Sequence, residues 1–396
     1  MKNGIIILLA LICVFFLLNA LGVFQFGSII DRNHRTWYES VREKAVKKSP
    51  ILKLGTAYDK TDQPAAEAVQ GMELAMEMVN REGGVSGRKL ELVKRDDVET
   101  LPQYSAAVQG FCDDPSIAAV IGPFSSGYIP TGRALTQFQG LPLISPLTVS
   151  SEKLPPLDPD NFVTFFPPLE LWVEAVLDDM EKKGYRNLLI ISPETDTYGD
   201  IFCTALERMS RRRPVFDRVY RLNYQLPLRR RDLLRAVRNY SGEHFSNVVF
   251  FGGTFSDFPE FTALMKELKM ELPVYGSDDL YIPQTRDMNL PFTLLLPRAV
   301  IRRLDTPFAK EWKRRFGKEP SYHTILGAES VFAVAKALKQ DGGYVPRRFV
   351  ESLREIQEKR LHDPEMAPVI AIDEFTGTAK KKLSGGSGGL PVFIFS

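Results

Sequence analysis

Cysteine, histidine and tryptophan are all scarce in this chain, at three, four and three residues in 396. His34, His244, His323 and His362 are widely scattered, and no metal-ligand spacing joins them to the cysteines, which argues against a zinc site. Excess charge of one sign is lacking too. A formal net charge of +2 is too small to argue for nucleic acid or an acidic partner. The local basic runs at 211–213, 229–231 and 380–382 carry no interleaved aromatics of the kind that stack bases, so they read as solvated surface. With 44% hydrophobic and 25% charged residues, the composition excludes disordered and collagen-like classes, and the length points to two lobes rather than one core.

Long hydrophobic runs are absent with one exception. Residues 4–24 are almost continuously apolar, broken by Asn19, and only Lys2 precedes them as a charged side chain. Such a run is a signal peptide or a membrane anchor: small residues at Ala20 and Gly22 permit cleavage, while the length permits an uncleaved span. Cys13 lacks the small residues that precede a lipidated cysteine, which argues against the usual lipoprotein route. Residues 25–50, rich in charge, read as a tether.

What the chain does have is an alternation of helix and strand patterns. Met72, Ala75, Met76 and Val79 recur at three- and four-residue spacing, which predicts a helix over 71–81 closed by Gly83 and Gly84. Leu90 and Leu92 alternate with polar residues, as in a strand near a sheet edge, and the run 117–121 is almost wholly apolar, as in a parallel strand covered on both faces. Strands are also expected at 51–57, 141–145, 187–192, 248–251 and 274–275, with helices at 170–183, around Leu206, at 259–269 and at 321–339. A last hairpin would pair 369–372 with 391–395 across the glycine-rich 384–389. The fold class is α/β.

Chemistry-bearing motifs fail on context. Ser387 lies in a Gly-x-Ser-x-Gly string, but basic residues precede it and a strand-like segment follows, the wrong frame for a nucleophile elbow. The glycines at 83, 84 and 87 follow a helix and precede a strand, the reverse of a dinucleotide loop. No catalytic cluster remains, so the chain does not read as an enzyme, and no cofactor is implied. Ser125 and Ser126 stand between the strand 117–121 and a helix beginning near Tyr128. They either cap that helix or gather with its unpaired N–H groups to meet an anion.

Residues 75–97, Val120-Ile-Gly-Pro-Phe-Ser-Ser126, Leu143-Ile-Ser-Pro146, Asp196-Thr-Tyr-Gly199, Val248-Val-Phe-Phe-Gly-Gly253, Gly276-Ser-Asp278 and Pro320-Ser-Tyr322 occur in a fixed order. The ordered set closely resembles the type I periplasmic binding proteins, especially the leucine/isoleucine/valine-binding branch, over nearly everything after Ile51. The resemblance implies two Rossmann-like lobes with parallel-rich sheets joined by three crossover segments. It assigns 1–25 to the signal or anchor, 26–50 to the tether, 51–166 with 296–367 to lobe 1, and 167–295 with 368–396 to lobe 2. Cys112 and Cys203 then fall on helices of different lobes, too far apart for a disulfide.

The resemblance also implies ligand-binding residues. Ser126, with Ser125 beside it, would meet a ligand carboxylate, and Asp278 an ammonium group, unless Asp278 and Asp279 cap the next helix. Tyr198 would line the cleft or pack on its sheet. The threonine expected after Pro146 falls on Val149, flanked by Thr148 and Ser150; the aromatic expected after Gly253 is Thr254; and Phe165 and Phe166 replace a polar pair, making that wall apolar. The implied function is an extracytoplasmic solute-binding protein of an ABC-type importer. It would take a small amino-acid-like or polar-headed ligand and offer it to a permease in the cytoplasmic membrane, in the periplasm or on that membrane's outer face. The alternative is a membrane-anchored envelope interaction or sensor protein that uses the same fold to regulate a partner.

Overall fold

The computed structural model describes residues 26–149, 161–194, 198–231, 234, 247–269, 271–286, 288–301, 304–340, 343–363 and 367–375. The apolar run 4–24, Ser150, Ser387 and the strand expected at 391–395 lie outside the described residues; among those described, no helix is long and apolar enough to cross a membrane. The chain divides into two units, Met1–Pro167 with Ile301–Pro368 and Pro168–Val300 with Val369–Ser396, and passes between them three times.

Unit 1 is built on strands β1 (Ile51–Ala57), β2 (Lys89–Arg95), β3 (Ile117–Ile121), β4 (Leu143–Ser145) and β5 (Phe162–Thr164). They form one sheet in the order β2-β1-β3-β4-β5, parallel throughout. Ala119 and Ile121 of β3 join one apolar cluster, while Ile117 and Val120 join another with Tyr104, Val108 and Phe111. A strand buried on both faces needs no alternation, which is why 117–121 reads as an unbroken apolar run. Helix α1 (Phe26–Lys48) precedes the sheet, and α2 (Gln63–Arg81), α3 (Leu101–Asp113) and α4 (Ile129–Phe138) lie between its strands. Helices α8 (Pro307–Phe316), α9 (Tyr322–Gln340) and α10 (Pro346–His362) return after unit 2.

Two expectations change here. Residues 26–50, read as a tether, carry α1, whose Val46 is fully buried in the unit 1 core and whose Arg42 donates to the backbone carbonyls of Cys112, Asp114 and Ile117. Helix α2 begins at Gln63 rather than near Gly71, because Pro64 occupies its first turn and Gly71 is an interior contact rather than a boundary. Gly83 and Gly84 then close it at φ 96° and 72°, and a Cβ on Gly84 would meet the Arg88 carbonyl at 2.1 Å.

The first turn of α2 is tied to the start of α9 through Glu67. Its carboxylate accepts from Ser321 Oγ at 2.6 Å and Gln63 Nε2 at 2.9 Å, with His323 Nδ1 at 3.4 Å. Burial pushes the Glu67 carboxyl up, but the hydrogen bonds from His323, Ser321 and Gln63 outweigh it and hold the group at about 2 instead of 4.5. A carboxyl depressed on folding adds stability above its unfolded value and loses it as pH falls through the folded one. Glu67→Gln should therefore lower the melting temperature at neutral pH and flatten its decline between about pH 5 and pH 2, measured by calorimetry across that range.

Unit 2 holds β6 (Asn187–Pro193), β7 (Arg218–Tyr224), β8 (Val248–Phe251), β9 (Val274–Gly276), β10 (Leu294–Val300) and β11 (Val369–Phe375). The sheet order is β11-β10-β9-β8-β6-β7, parallel except for β11, which runs antiparallel to β10. Strand β11 pairs with β10 and stands at the edge of the described sheet, while 391–395, its expected hairpin partner, lies outside the described residues. Helices α5 (Leu169–Lys182), α6 (Tyr198–Ser210) and α7 (Phe258–Glu267) belong to the same unit. Phe251 stacks on Phe261 with ring centroids 4.3 Å apart, and Phe258 and Phe292 close the same cluster. Such pairs add to the stabilisation from apolar burial.

Candidate functional site

Both sheets share one strand order. In unit 1 the first strand lies between the second and third, β2-β1-β3, and in unit 2 β6 likewise lies between β7 and β8. In open parallel sheets of this kind ligands meet the carboxyl ends of strands at the point where the order reverses, because neighbouring loops there diverge to opposite faces. The expected site residues fall at these ends: Ser125 and Ser126 follow β3, Thr148 follows β4, Tyr198 follows β6, Thr254 follows β8 and Asp278 follows β9.

In unit 1 the two serines differ. Ser125 is exposed and Ser126 buried, and neither side chain caps a helix: residues 126–128 form a 3-10 turn, and α4 starts after it at Ile129. Ser126 Oγ instead accepts the Val149 N–H at 3.3 Å, which leaves its own proton to donate. Thr148 is turned inward. Its hydroxyl donates to Ser145 Oγ at 2.6 Å, Ser145 donates to the Pro123 carbonyl at 2.6 Å, and the residue is fully buried. These bonds lace the tips of β3 and β4 together, so the expectation of Thr148 as a ligand donor is corrected to a brace. Phe165, expected on an apolar wall, belongs to the unit 1 core at 1% exposure.

Two aromatics that the sequence did not single out flank the reversal point of unit 1. Tyr58 follows β1 and Phe124 follows β3, with ring centroids 6.2 Å apart in an edge-to-face arrangement. Burial raises the Tyr58 phenol above its ordinary value, so it stays neutral. Their positions immediately after neighbouring strands were the available signal.

In unit 2 the structure brings Tyr198 and Asp278 together. The Tyr198 hydroxyl donates to Asp278 Oδ1 at 2.5 Å, and the ring packs edge-on to Phe202 with centroids 6.0 Å apart. The structure thus seats the Tyr198 ring on its own helix rather than on the sheet, with the hydroxyl on Asp278. Asp278 opens a single 3-10 turn, 278–280, whose capping position is Ser277. Thr254 is held locally, sharing a hydrogen bond with Ser256 Oγ at 2.7 Å and reaching Asp257 Oδ2 at 3.3 Å. Among the described residues no group of three or more His, Cys, Asp or Glu is arranged to hold a metal. Cys112 and Cys203 are buried thiols pushed up to about 12 by burial, which makes them poor nucleophiles.

Two such units, their candidate polar groups gathered at strand carboxyl ends, have the architecture of a binding protein. Residues 55–372 match the family described as periplasmic binding protein, and the chain belongs to that family. Its members bind rather than turn over their substrates. Among curated proteins, a Leu/Ile/Val-binding protein homolog from Brucella melitensis is 30% identical over 107 residues, a match covering 26% of this chain and only 27% of that relative. Among solved structures, an ABC transporter substrate-binding protein from Desulfitobacterium hafniense in complex with Leu has a TM-score of 0.63 at 24% identity, covering 77% of this chain and 89% of the other. A leucine-binding protein from Thermotoga maritima has a TM-score of 0.64 at 13% identity, covering 82% and 96%. At these identities the structures show a shared fold.

Proposed function

We infer that this chain is an extracytoplasmic solute-binding protein serving an ABC-type importer, and that its ligand is a small molecule with an ammonium group, a polar or anionic end and an apolar body. The observation that carries this reading is the Tyr198–Asp278 hydrogen bond, which fixes a carboxylate at the strand ends of unit 2 as an ammonium acceptor. Ser126 supplies the donor in unit 1, and Tyr58 and Phe124 offer apolar surface beside it. Ser125, Ser150 and Thr254 are secondary candidates. Ligand binding would favour a closed arrangement through contacts made in that state alone. The relatives' names, which mention Leu, Ile and Val, make branched-chain amino acids the first compounds to try.

The test is isothermal titration with L-leucine, L-isoleucine, L-valine and a wider amino-acid panel. Asp278→Ala should cost about 2 kcal/mol or more, roughly thirtyfold in affinity, because a desolvated ammonium loses its ionised acceptor. Equal affinity in wild type and variant would remove Asp278 from this role. The second reading, an anchored envelope interaction or sensor protein, draws on α1, which is seated on unit 1 rather than strung out as a tether. Thermal shifts across a metabolite panel separate the two: a ligand raises the melting temperature by linkage, while no shift together with a co-purifying envelope partner would favour the second.

A further inference from the structure

The first turn of α6, which carries Tyr198, is held by a half-buried side chain that plays no part in the site itself. Arg221 lies on β7 beside β6, and its side chain is 15% exposed. All three guanidinium nitrogens are engaged. Nη2 donates to Asp200 Oδ1 and, at 2.9 Å, to Ser192 Oγ at the end of β6. Nη1 donates to Thr204 Oγ1 at 3.0 Å and reaches Glu207 Oε2 at 3.4 Å, while Nε donates to Asn223 Oδ1 at 2.9 Å. Asp200, Thr204 and Glu207 are spaced by four and three residues along α6, so one fork grips a single helix face over two turns. On the β8 side there is equally little freedom: a Cβ on Gly199 would meet the Gly252 carbonyl at 1.8 Å, and one on Gly252 would meet Cys203 Sγ at 2.2 Å.

We propose that Arg221 is a positioning residue for the binding site: by fixing the first turn of α6 against β6 it places the Tyr198 hydroxyl on Asp278, and so sets the orientation of the carboxylate that receives the ligand's ammonium group. Asp200 lies two residues from Tyr198, so the ion pair acts within the same helical turn as the phenol. A single hydrogen bond of 2.5 Å cannot tolerate drift of that turn. Lysine has one nitrogen in place of the fork and would satisfy Asp200 while releasing Thr204 or Ser192. The ligand part of this proposal rests on the function proposed above; the placement of Tyr198 does not.

The experiment keeps these apart. With 3-fluorotyrosine at position 198 in the ligand-free full chain, the fluorine resonance of Asp278→Ala marks the state in which the bond is absent. Arg221→Met should move the resonance from the wild-type position towards that mark, and Arg221→Lys part of the way. Because Arg221→Met strands the buried Asp200 and threatens folding, Arg221→Met with Asp200→Asn is the companion variant and should move the resonance likewise. A resonance that stays at the wild-type position in the folded companion variant overturns the proposal. Titration with L-leucine as probe should show about tenfold weaker binding in the companion variant, the scale of one well-placed hydrogen bond, and no further loss when Tyr198→Phe is added. A loss that persists undiminished in the Tyr198→Phe background also overturns it. If wild type binds no member of the amino-acid panel, the functional reading fails while the fluorine result still decides the placement of Tyr198.

Discussion

Gly71→Ala and Gly327→Ala should each destabilise the protein by about 3 kcal/mol or more, although alanine is the better helix former. The two glycines are reciprocal. A Cβ on Gly71 of α2 would lie 2.0 Å from the Thr324 carbonyl oxygen of α9, and a Cβ on Gly327 would lie 2.0 Å from the Ala68 carbonyl oxygen of α2. These obstacles are backbone atoms, so no rotamer change relieves them; the helices must separate, and with them the packing of Val69, Met72, Ala328 and Val331 in the unit 1 core. Gly110→Ala in α3 is the matched control, since a Cβ there meets nothing within 4 Å. That exchange should stabilise by up to about 1 kcal/mol through helix propensity. Opposite signs for one substitution, read as urea midpoints, would establish that the α2–α9 contact requires glycine; a neutral Gly71→Ala would show that it does not.

The same glycine explains one misreading of the sequence. Gly71 looked like a helix boundary because an interior glycine costs helix stability, and only its neighbour across the contact reveals why it is there. Strands β3 and β8 were legible because each is a short apolar run bounded by polar or glycine residues, the pattern that burial on both faces demands. Strand β7 was not, since Arg218 and Arg221 interrupt its apolar residues at the sheet edge, where one side faces solvent. Helix α8 carries a readable period, with Phe308 and Trp312 four residues apart on its buried side.

The site was legible in part. The family resemblance pointed to Tyr198 and Asp278 separately, and strand order brings the tips of β6 and β9 into one region, but their hydrogen bond spans 80 positions and no local pattern encodes it. Thr148 was misjudged for a related reason. Whether a hydroxyl beside a strand end points outward depends on its partner, here Ser145, and the residue type alone does not say. Arg221 gives no such signal, because an arginine in an edge strand resembles solvated charge until Asp200 and Thr204 are seen around it.

Arg42→Met should be among the most damaging single substitutions in unit 1, at about 3–6 kcal/mol. The side chain is 2% exposed, and burial pulls its pKa down, yet it is held by carbonyl oxygens of Cys112 at 2.8 Å, Ile117 at 2.8 Å and Asp114 at 2.9 Å. Methionine fills much of the volume but donates nothing; the Asp114 carbonyl keeps the Ile117 N–H at 3.2 Å, and each buried acceptor left without a partner costs about 1–3 kcal/mol. The carbonyls belong to the end of α3 and the start of β3, so the damage reaches the strand whose far end presents Ser126. Arg42→Lys should recover only part of the loss, because one ammonium cannot reproduce a planar fork that reaches carbonyls on both sides. If residues 26–48 were a tether, Arg42→Met would leave the urea midpoint unchanged, and a chain beginning at Ile51 would be as stable as one retaining α1. The buried Val46, the Arg88 bond to its carbonyl at 2.9 Å and the Glu39–Arg347 ion pair at 2.9 Å require the opposite. Shortening the chain to Ile51 removes all three together with Arg42. The shortened chain should then unfold at lower urea, and deuterium exchange should quicken first in β3 and α4, the elements against which α1 packs.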